Sequence, residues 1–387
     1  MAFEKELIFG GHFFLYFFLM CVIIVTVKKT NRNHYYLKEV SIMTKKVFLF
    51  FLVTVLALFA AACGDKSSTP KQSADKKDKL SVYTTVYPLS YFTERIGGDY
   101  VEVSSIYPPG SNEHTFEPTQ KDMMKLADAD VFFYIGLGLE GFVEKAKKTL
   151  AKEDVTMVAT AAQISDEQLA ISTGHSHDEE EEDEADHDHD HDATEEDHGH
   201  DHDEDEDHAH GSVDPHVWLS PIISQDLALT IKNTLVEKMP AQEATFTANY
   251  EALVKELQDL DSEYKAMANA TKNKTFFVSH AAFGYIAGQY GFTQVPIAGL
   301  NSQNEPSQKE LTAIVDKATD LNIHYILFEQ NVSSKLAEVI QKEVGAQSLV
   351  LHNLSVLTSD DVKNNETYFT LMKKNMKTLE TALNEQK

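Results

Sequence analysis

From Leu80 onward, short β-rich runs alternate with helical stretches. The runs are LSVYTTV (80–86), VEVSSIY (101–107), DVFFYIG (130–136) and VTMVA (155–159), with stretches such as SYFTERIG and TQKDMMKLADA between them. The same alternation returns at KTFFVS (274–279), TQVPIA (from Thr293), IHYILF (323–328) and SLVLH (348–352). Alternating strand and helix implies parallel sheets with helices on both faces. Two sets of about four strands imply two (β/α)4 lobes, an α/β fold class. Between the sets, Tyr250, Leu253, Leu257, Leu260, Tyr264 and Met267 fall at spacings of three and four, one apolar stripe on a helix. No Gly or Pro interrupts this stretch. It predicts a helix from about 241 to 270, about 40–45 Å long at the standard rise, stiff enough to act as a strut between the lobes.

Two regions break the pattern. Residues 172–212 hold almost no apolar side chains, so they cannot bury enough surface to offset their ordering entropy and read as a disordered insert. The N-terminus breaks it in the opposite sense. MTKKVFLFFLVTVLALFAAAC (43–63) has two lysines, an apolar run and small residues before a cysteine, the pattern of a secretory signal. Ala60, Ala61 and Ala62 before Cys63 resemble a bacterial lipobox, although Leu is usual where Ala60 stands. Cys63 is then the diacylated first mature residue, and 63–79 a lipidated tether. A further apolar run, FFLYFFLMCVIIVTVKK, precedes Met43 and is long enough for a membrane span. Met43 is read as the true start and residues 1–42 as an extension of it, so 1–62 stand outside the fold. The remaining boundaries are 80–240 for the first lobe, 241–271 for the linking helix and 272–387 for the second lobe.

Composition sharpens the picture in two places. The formal charge is −27 over 387 residues, but the block from His175 to His210 holds 20 Asp and Glu, no Lys or Arg, and 10 of the 17 His. The rest of the chain therefore carries only −7. No basic stripe is present to neutralise phosphates, which argues against nucleic acid as a partner. The only cysteines are Cys21 and Cys63, so the body of the protein has no disulfide and no thiolate ligand. A metal there must be held by His, Asp, Glu or water.

Five histidines lie between residue 80 and the C-terminus outside the insert. His114 follows a strand, where ligands of open α/β sheets bind. His216 sits in VDPHVWLSP beside the only Trp, with Asp214 near enough to orient its imidazole. His280 ends a strand of the second lobe ahead of AAFGYIAGQYG. His324 and His352 suit structural roles at strand ends. Glu329, in FEQNVSSK, is a candidate ligand or acceptor for a ligand. Alone, each histidine has a bland alternative: a solvated loop residue, a packed loop anchored by Trp218, a helix-terminal side chain bonded to backbone. Together they set one His at the facing edge of each lobe and a third on the connection. Three His and an oxygen ligand make a tetrahedral borderline-metal site, for which Zn²⁺ fits best.

YPPGSNEHTFEPT, DPHVWLSP, VSHAAFGYIAGQYG and FEQNVSSK, in this order, resemble the zinc-binding solute-binding lipoproteins of bacterial ABC importers, the ZnuA/AdcA type of the cluster A-I metal-binding proteins. The acidic, His-rich insert ahead of DPHVW is a further trait of that family. The resemblance implies a C-clamp of two lobes joined by one long rigid helix, with His114, His216 and His280 as metal ligands. It implies a monomer, tethered to the outer face of the membrane through the Cys63 diacylglycerol, that hands Zn²⁺ to an ABC permease without catalysing a reaction. Manganese-binding relatives usually carry Glu where His280 stands. Many relatives supply a fourth, acidic ligand in a stretch like PLEGLT; here the stretch is NLSVLT, with Ser355 in that place. Water is then the first choice for the fourth position, followed by Glu113 or Glu329.

Two other classes remain at this point. A zinc hydrolase also uses three His and water, with Glu113 as a base, but no HExxH or G-x-S-x-G element is present. A surface adhesin or metal-storage lipoprotein would make the insert primary. The insert offers His175, His177, His187, His189, His191, His198, His200, His202, His208 and His210. Ordering such a chain around an ion costs entropy. The expectation is a collector of about micromolar sites that fades below about pH 6 as imidazoles protonate, beside a much tighter cleft.

Overall fold

The computed structural model describes residues 79–173, 213–302, 306–330 and 334–384. The leader, Cys63, the tether up to Asp78 and insert residues 174–212 lie outside the described residues. Among the described residues, no helix is long and apolar enough to cross a membrane.

The first sheet consists of β1 (Leu80–Thr84), β2 (Val101–Ser105), β3 (Val131–Tyr134) and β4 (Thr156–Ala159). All pairs are parallel and the order is β2-β1-β3-β4. Every residue of VFFY in β3 is buried, as a central strand covered on both faces requires. The second sheet repeats the arrangement with β5 (Thr275–His280), β6 (Thr293–Ala298), β7 (Tyr325–Phe328) and β8 (Gln347–Val350), in the order β6-β5-β7-β8. In each sheet the order reverses beside the first strand, which opens a crevice at the carboxyl ends of the two central strands. The runs read from the sequence fall on these eight strands, most trimmed by a few residues.

The helices are α1 (Tyr87–Gly97), α2 (Gln120–Ala127), α3 (Val143–Thr149), α4 (Asp166–Leu169), α5 (Ile223–Lys238), α6 (Glu243–Ala270), α7 (Gly284–Tyr290), α8 (Gln308–Asp320), α9 (Lys335–Val344), α10 (Ser359–Lys363) and α11 (Tyr368–Asn384). Their starts follow local chemistry. Thr119, Ser307 and Thr358 each cap a helix by accepting from the backbone N–H three positions on, and the acidic side chain there accepts from the cap's backbone N–H in return.

Helix α6 is the long helix expected from the stripe. Leu253, Leu257, Leu260, Tyr264 and Met267 are buried, while Tyr250 is only half-buried and Phe246, one turn earlier, takes the fully buried place. At 28 residues it spans about 42 Å. Its first half meets the first lobe, where the Asn249 amide donates to the Ile96 carbonyl at 2.9 Å. Its second half meets the second lobe, where the Tyr264 hydroxyl donates to the Met372 carbonyl at 2.7 Å. Helix α11 also reaches across. The Tyr368 ring packs on Phe92 of α1 at 5.0 Å, and its hydroxyl donates to the Trp218 carbonyl. One apolar core runs through both lobes by way of α1, α5, α6 and α11, and a smaller one lies between the second sheet and helices α8 and α9.

Candidate metal centre

His114, His216 and His280 come from three separate stretches and converge. Each offers a ring nitrogen, and the three lie within 4.8 Å of one another. His114 Nε2 and His216 Nε2 are 3.3 Å apart. A tetrahedral ion with Zn–N bonds of about 2.05 Å needs nitrogens separated by about 3.3 Å, so this pair already has that spacing. The ring centroids are 5.0 to 5.2 Å apart in all three pairings.

Each histidine is held differently. His280 is the last residue of β5, at the crevice of the second sheet, and is 1% exposed. Its Nδ1 lies 2.6 Å from Glu329 Oε1 and its Nε2 2.9 Å from the Leu300 carbonyl. Burial works against the imidazolium, but the Glu329 carboxylate and the carbonyl outweigh it and push the pKa up to about 9. His216 is fully buried at the start of the Val217–Leu219 turn. Asp214 Oδ1 accepts from the His216 backbone N–H at 2.9 Å and lies 2.7 Å from Nδ1, which leaves Nε2 facing the cluster. His114 lies on the loop between β2 and α2 and is half-buried. Its backbone N–H donates to Asn112 Oδ1 at 2.9 Å. Burial, with His216 and His280 alongside, depresses its pKa to about 2. It is therefore a neutral imidazole at any ordinary pH, the form that binds metal.

Behind the imidazoles sits a buried polar web centred on Asn353. Its amide donates to Glu113 Oε1 and to Glu329 Oε2, both at 2.9 Å. Its carbonyl oxygen accepts from the Ser355 backbone and hydroxyl at 3.0 and 2.8 Å. Trp218 Nε1 donates to the Asn353 main-chain carbonyl at 2.7 Å. Burial and the Glu329 charge raise the Glu113 pKa. Burial also opposes ionisation of Glu329, but His280 holds it below its ordinary value. Both Glu329 oxygens are thus engaged, one by His280 and one by Asn353. Ser355 faces Asn353.

The sequence marks Glu113, Glu329 and Asp214 but gives no sign of Asn353, whose two carboxylate partners lie 240 and 24 residues away. No local pattern marks such a residue. His324 and His352 stand apart from the cluster. The His352 Nε2 lies 3.1 Å from Asp361 Oδ2, and its Nδ1 accepts from the Leu354 backbone. The ten histidines of the insert lie outside the described residues. Ser172 and Thr173, assigned to the insert by composition, are described and engaged. The Ser172 hydroxyl donates to Asp214 Oδ2 at 2.5 Å, and Thr173 bonds to the Gly284 carbonyl. Composition places Ser172 in the insert, because a small polar residue carries no sign of the partner beside which it is buried.

The family model for the periplasmic zinc-uptake complex component A, ZnuA, matches residues 82–382. The high-affinity zinc uptake system protein ZnuA of Bacillus subtilis is 35% identical over 342 residues, covering 88% of this chain and 99% of that protein. The zinc-binding protein AdcA of Streptococcus pyogenes serotype M6 is 34% identical over 337 residues; the match takes in 87% of this chain and only 61% of AdcA. Among solved structures, the Zn(II)-bound ZnuA-like domain of Streptococcus pneumoniae AdcA aligns with a TM-score of 0.61 at 32% identity, over 79% of this chain and all of that one.

Proposed function

The chain belongs to the ZnuA family of zinc-uptake complex components, and from that premise we propose that it captures Zn²⁺ outside the cytoplasm and delivers it to an ABC permease. The observation that carries this reading is the convergence of His114, His216 and His280, each with a ring nitrogen within 4.8 Å of the others. Three imidazole nitrogens with no thiolate suit Zn²⁺ among the common divalent ions. Water completes the coordination, ahead of Glu113 or Glu329. The chain is a carrier, not an enzyme: two of the three imidazoles are buried, which suits a bare ion better than an extended substrate. It acts as a monomer anchored through a lipid on Cys63, and the histidine-rich insert collects ions at lower affinity.

The test is a calorimetric Zn²⁺ titration of residues 64–387 lacking 175–210, beside the same protein with His280→Ala. One tight equivalent is expected. Losing a ligand should weaken it by more than about 100-fold, beyond the 10–100-fold typical of outer-shell changes. Absence of a tight equivalent before any histidine is replaced would move the function to the insert and overturn the carrier reading.

A further inference from the structure

The described chain stops at Thr173 and resumes at Val213, and the residues on either side of this gap are bonded to one another. Ser172 is 7% exposed and Asp214 is 2% exposed. The Ser172 hydroxyl donates to Asp214 Oδ2 at 2.5 Å, while Oδ1 of the same carboxylate serves the His216 backbone and ring. A fourth bond reaches Asp214 from the second lobe, where the Tyr285 hydroxyl of α7 donates to its main-chain carbonyl at 2.7 Å.

The approach to α7 is close because two positions lack a side chain. A Cβ on Gly284 would stand 2.1 Å from the Ser172 hydroxyl and 2.7 Å from Asp214 Oδ2. A Cβ on Gly288 would stand 1.7 Å from the Ile171 carbonyl. The Thr173 backbone N–H donates to the Gly284 carbonyl at 3.2 Å, and the Gln294 amide donates to the Thr173 carbonyl at 3.3 Å. The segment Ile171–Thr173 therefore lies on the helix that directly follows the His280 strand.

We propose that Ser172 is a positioning residue for the metal centre: its hydroxyl fixes the Asp214 carboxylate, which fixes the tautomer and orientation of His216. The root of the histidine-rich insert is thereby part of the support of the centre. A buried carboxylate with one oxygen unbonded would turn to find a donor, and the imidazole on its other oxygen would turn with it. This inference rests on the proposed metal-binding role of His216. Outer partners of ligating histidines are worth about 10–100-fold in metal affinity. Ser172 stands one step further out, so the expected loss is about tenfold, the lower end of that range.

The experiment compares the full-length wild-type protein with Ser172→Ala, Gly284→Ala and Thr173→Ala. Tight Zn²⁺ binding is read by chelator competition, which masks the weak sites of the insert. The slowly exchanging His216 Nδ1 proton is read by NMR and assigned by its loss in His216→Gln. Ser172→Ala is expected to weaken tight binding about tenfold and to broaden or lose that proton signal. Gly284→Ala, which keeps the hydroxyl but displaces it, should do the same. Thr173→Ala should change neither, since among the described residues only the Thr173 backbone is bonded. An unchanged proton signal and unchanged affinity in Ser172→Ala would overturn the positioning role while leaving the metal centre intact. A wild-type protein without a tight equivalent would overturn the carrier reading itself.

Discussion

Each lobe plants a buried glutamate at the crevice of its sheet, and the two are put to different use. In the second lobe Glu329, just after β7, takes His280 at the end of β5. In the first lobe Glu140, beyond β3, takes the hydroxyl of Thr85, one residue past β1, at 2.8 Å. It also accepts the backbone N–H groups of Ile135 and Gly136 at 2.8 and 3.0 Å. The strand orders match, so β1 corresponds to β5 and β3 to β7. The titrations diverge. Burial raises Glu140 to about 6 despite its three donors, whereas His280 holds Glu329 low. The difference lies in the residue at the strand end. A threonine there leaves the glutamate as a cap for a loop; a histidine makes it the partner of a prospective ligand. The first lobe instead contributes His114 from the loop after its edge strand, with no carboxylate bonded to its ring among the described residues. Two imidazoles are thus preset by carboxylates, and the third, among the described residues, is held by its backbone and the neighbouring His216 ring.

The largest test of this contrast is Glu329→Gln. With Glu329 in place, His280 titrates near 9, so at neutral pH zinc must displace a proton to bind. Apparent affinity should then climb by up to about tenfold per pH unit from this group and level off above about 9. Removing the carboxylate takes away the strongest of the groups that raise this value while burial still opposes the imidazolium, so the His280 contribution should level off well below 9. Tight binding should fall by about 10–100-fold at high pH, where the proton no longer competes. Calorimetry in buffers of different ionisation enthalpy counts the released proton directly. If wild type and Glu329→Gln release the same number at pH 7.5, Glu329 does not control His280.

Much of this arrangement was legible in the sequence, for reasons that differ by element. The central strands β3, β5 and β7 announced themselves as short, mostly apolar runs, while mixed strands such as VEVSS were read from their place in the strand–helix alternation. His216 and His280 were found because each lies within a few residues of the features that position it: Asp214 and Trp218 for one, a strand end for the other. The α6 stripe was visible, but its first member shifted from Tyr250 to Phe246, since spacing alone cannot say which turn of a helix meets a neighbour. Glu140 carried no signal in GLGLEGF, because its meaning depends on Thr85, 55 residues earlier. Asn353 and Ser172 escaped for the same reason: a buried polar hub is defined by partners distant in sequence. The ordered root of the insert was hidden by the acidic, His-rich composition of the residues after Thr173.

A second test addresses the first lobe. Glu140 is a carboxyl whose folded pKa, about 6, exceeds its ordinary 4.5. Below 4.5 the folded state has the full benefit of that extra proton affinity, and the benefit disappears as pH rises through about 6. The shift corresponds to about 2 kcal/mol. Replacing Glu140 with Gln removes the titration, so the stability difference between wild type and Glu140→Gln should move by about 2 kcal/mol in favour of wild type on going from pH 7 to pH 4.5. Denaturant melts at a series of pH values measure it. Zinc affinity at pH 7 should stay within about twofold, because Glu140 has no bond to any of the three histidines and distant sites are nearly independent. A large loss of affinity would mean that the two glutamates are not doing separate jobs.

The smallest expected effect concerns the histidine without a carboxylate. Asn112 holds the His114 backbone through Oδ1, and its amide donates across the cleft to the Ser302 hydroxyl at 3.0 Å. Asn112→Ala removes both bonds but leaves the His114 ring, Glu329 and Asp214 in place. Each bond is worth about 0.5–1.5 kcal/mol, less where water can replace it, and this loop is partly exposed. Affinity should therefore drop by only about three- to tenfold. The loss should appear in the rate of release, since the bonds hold the His114 loop in place and need not form before the ion arrives. Stopped-flow release of Zn²⁺ to a fluorescent chelator separates the two rates. Faster release with unchanged capture would make the loosely held His114 the point at which the ion leaves. Slower capture with unchanged release would place the control of exit on the second lobe, and the contrast between a preset pair and a loosely held third ligand would have to be reversed.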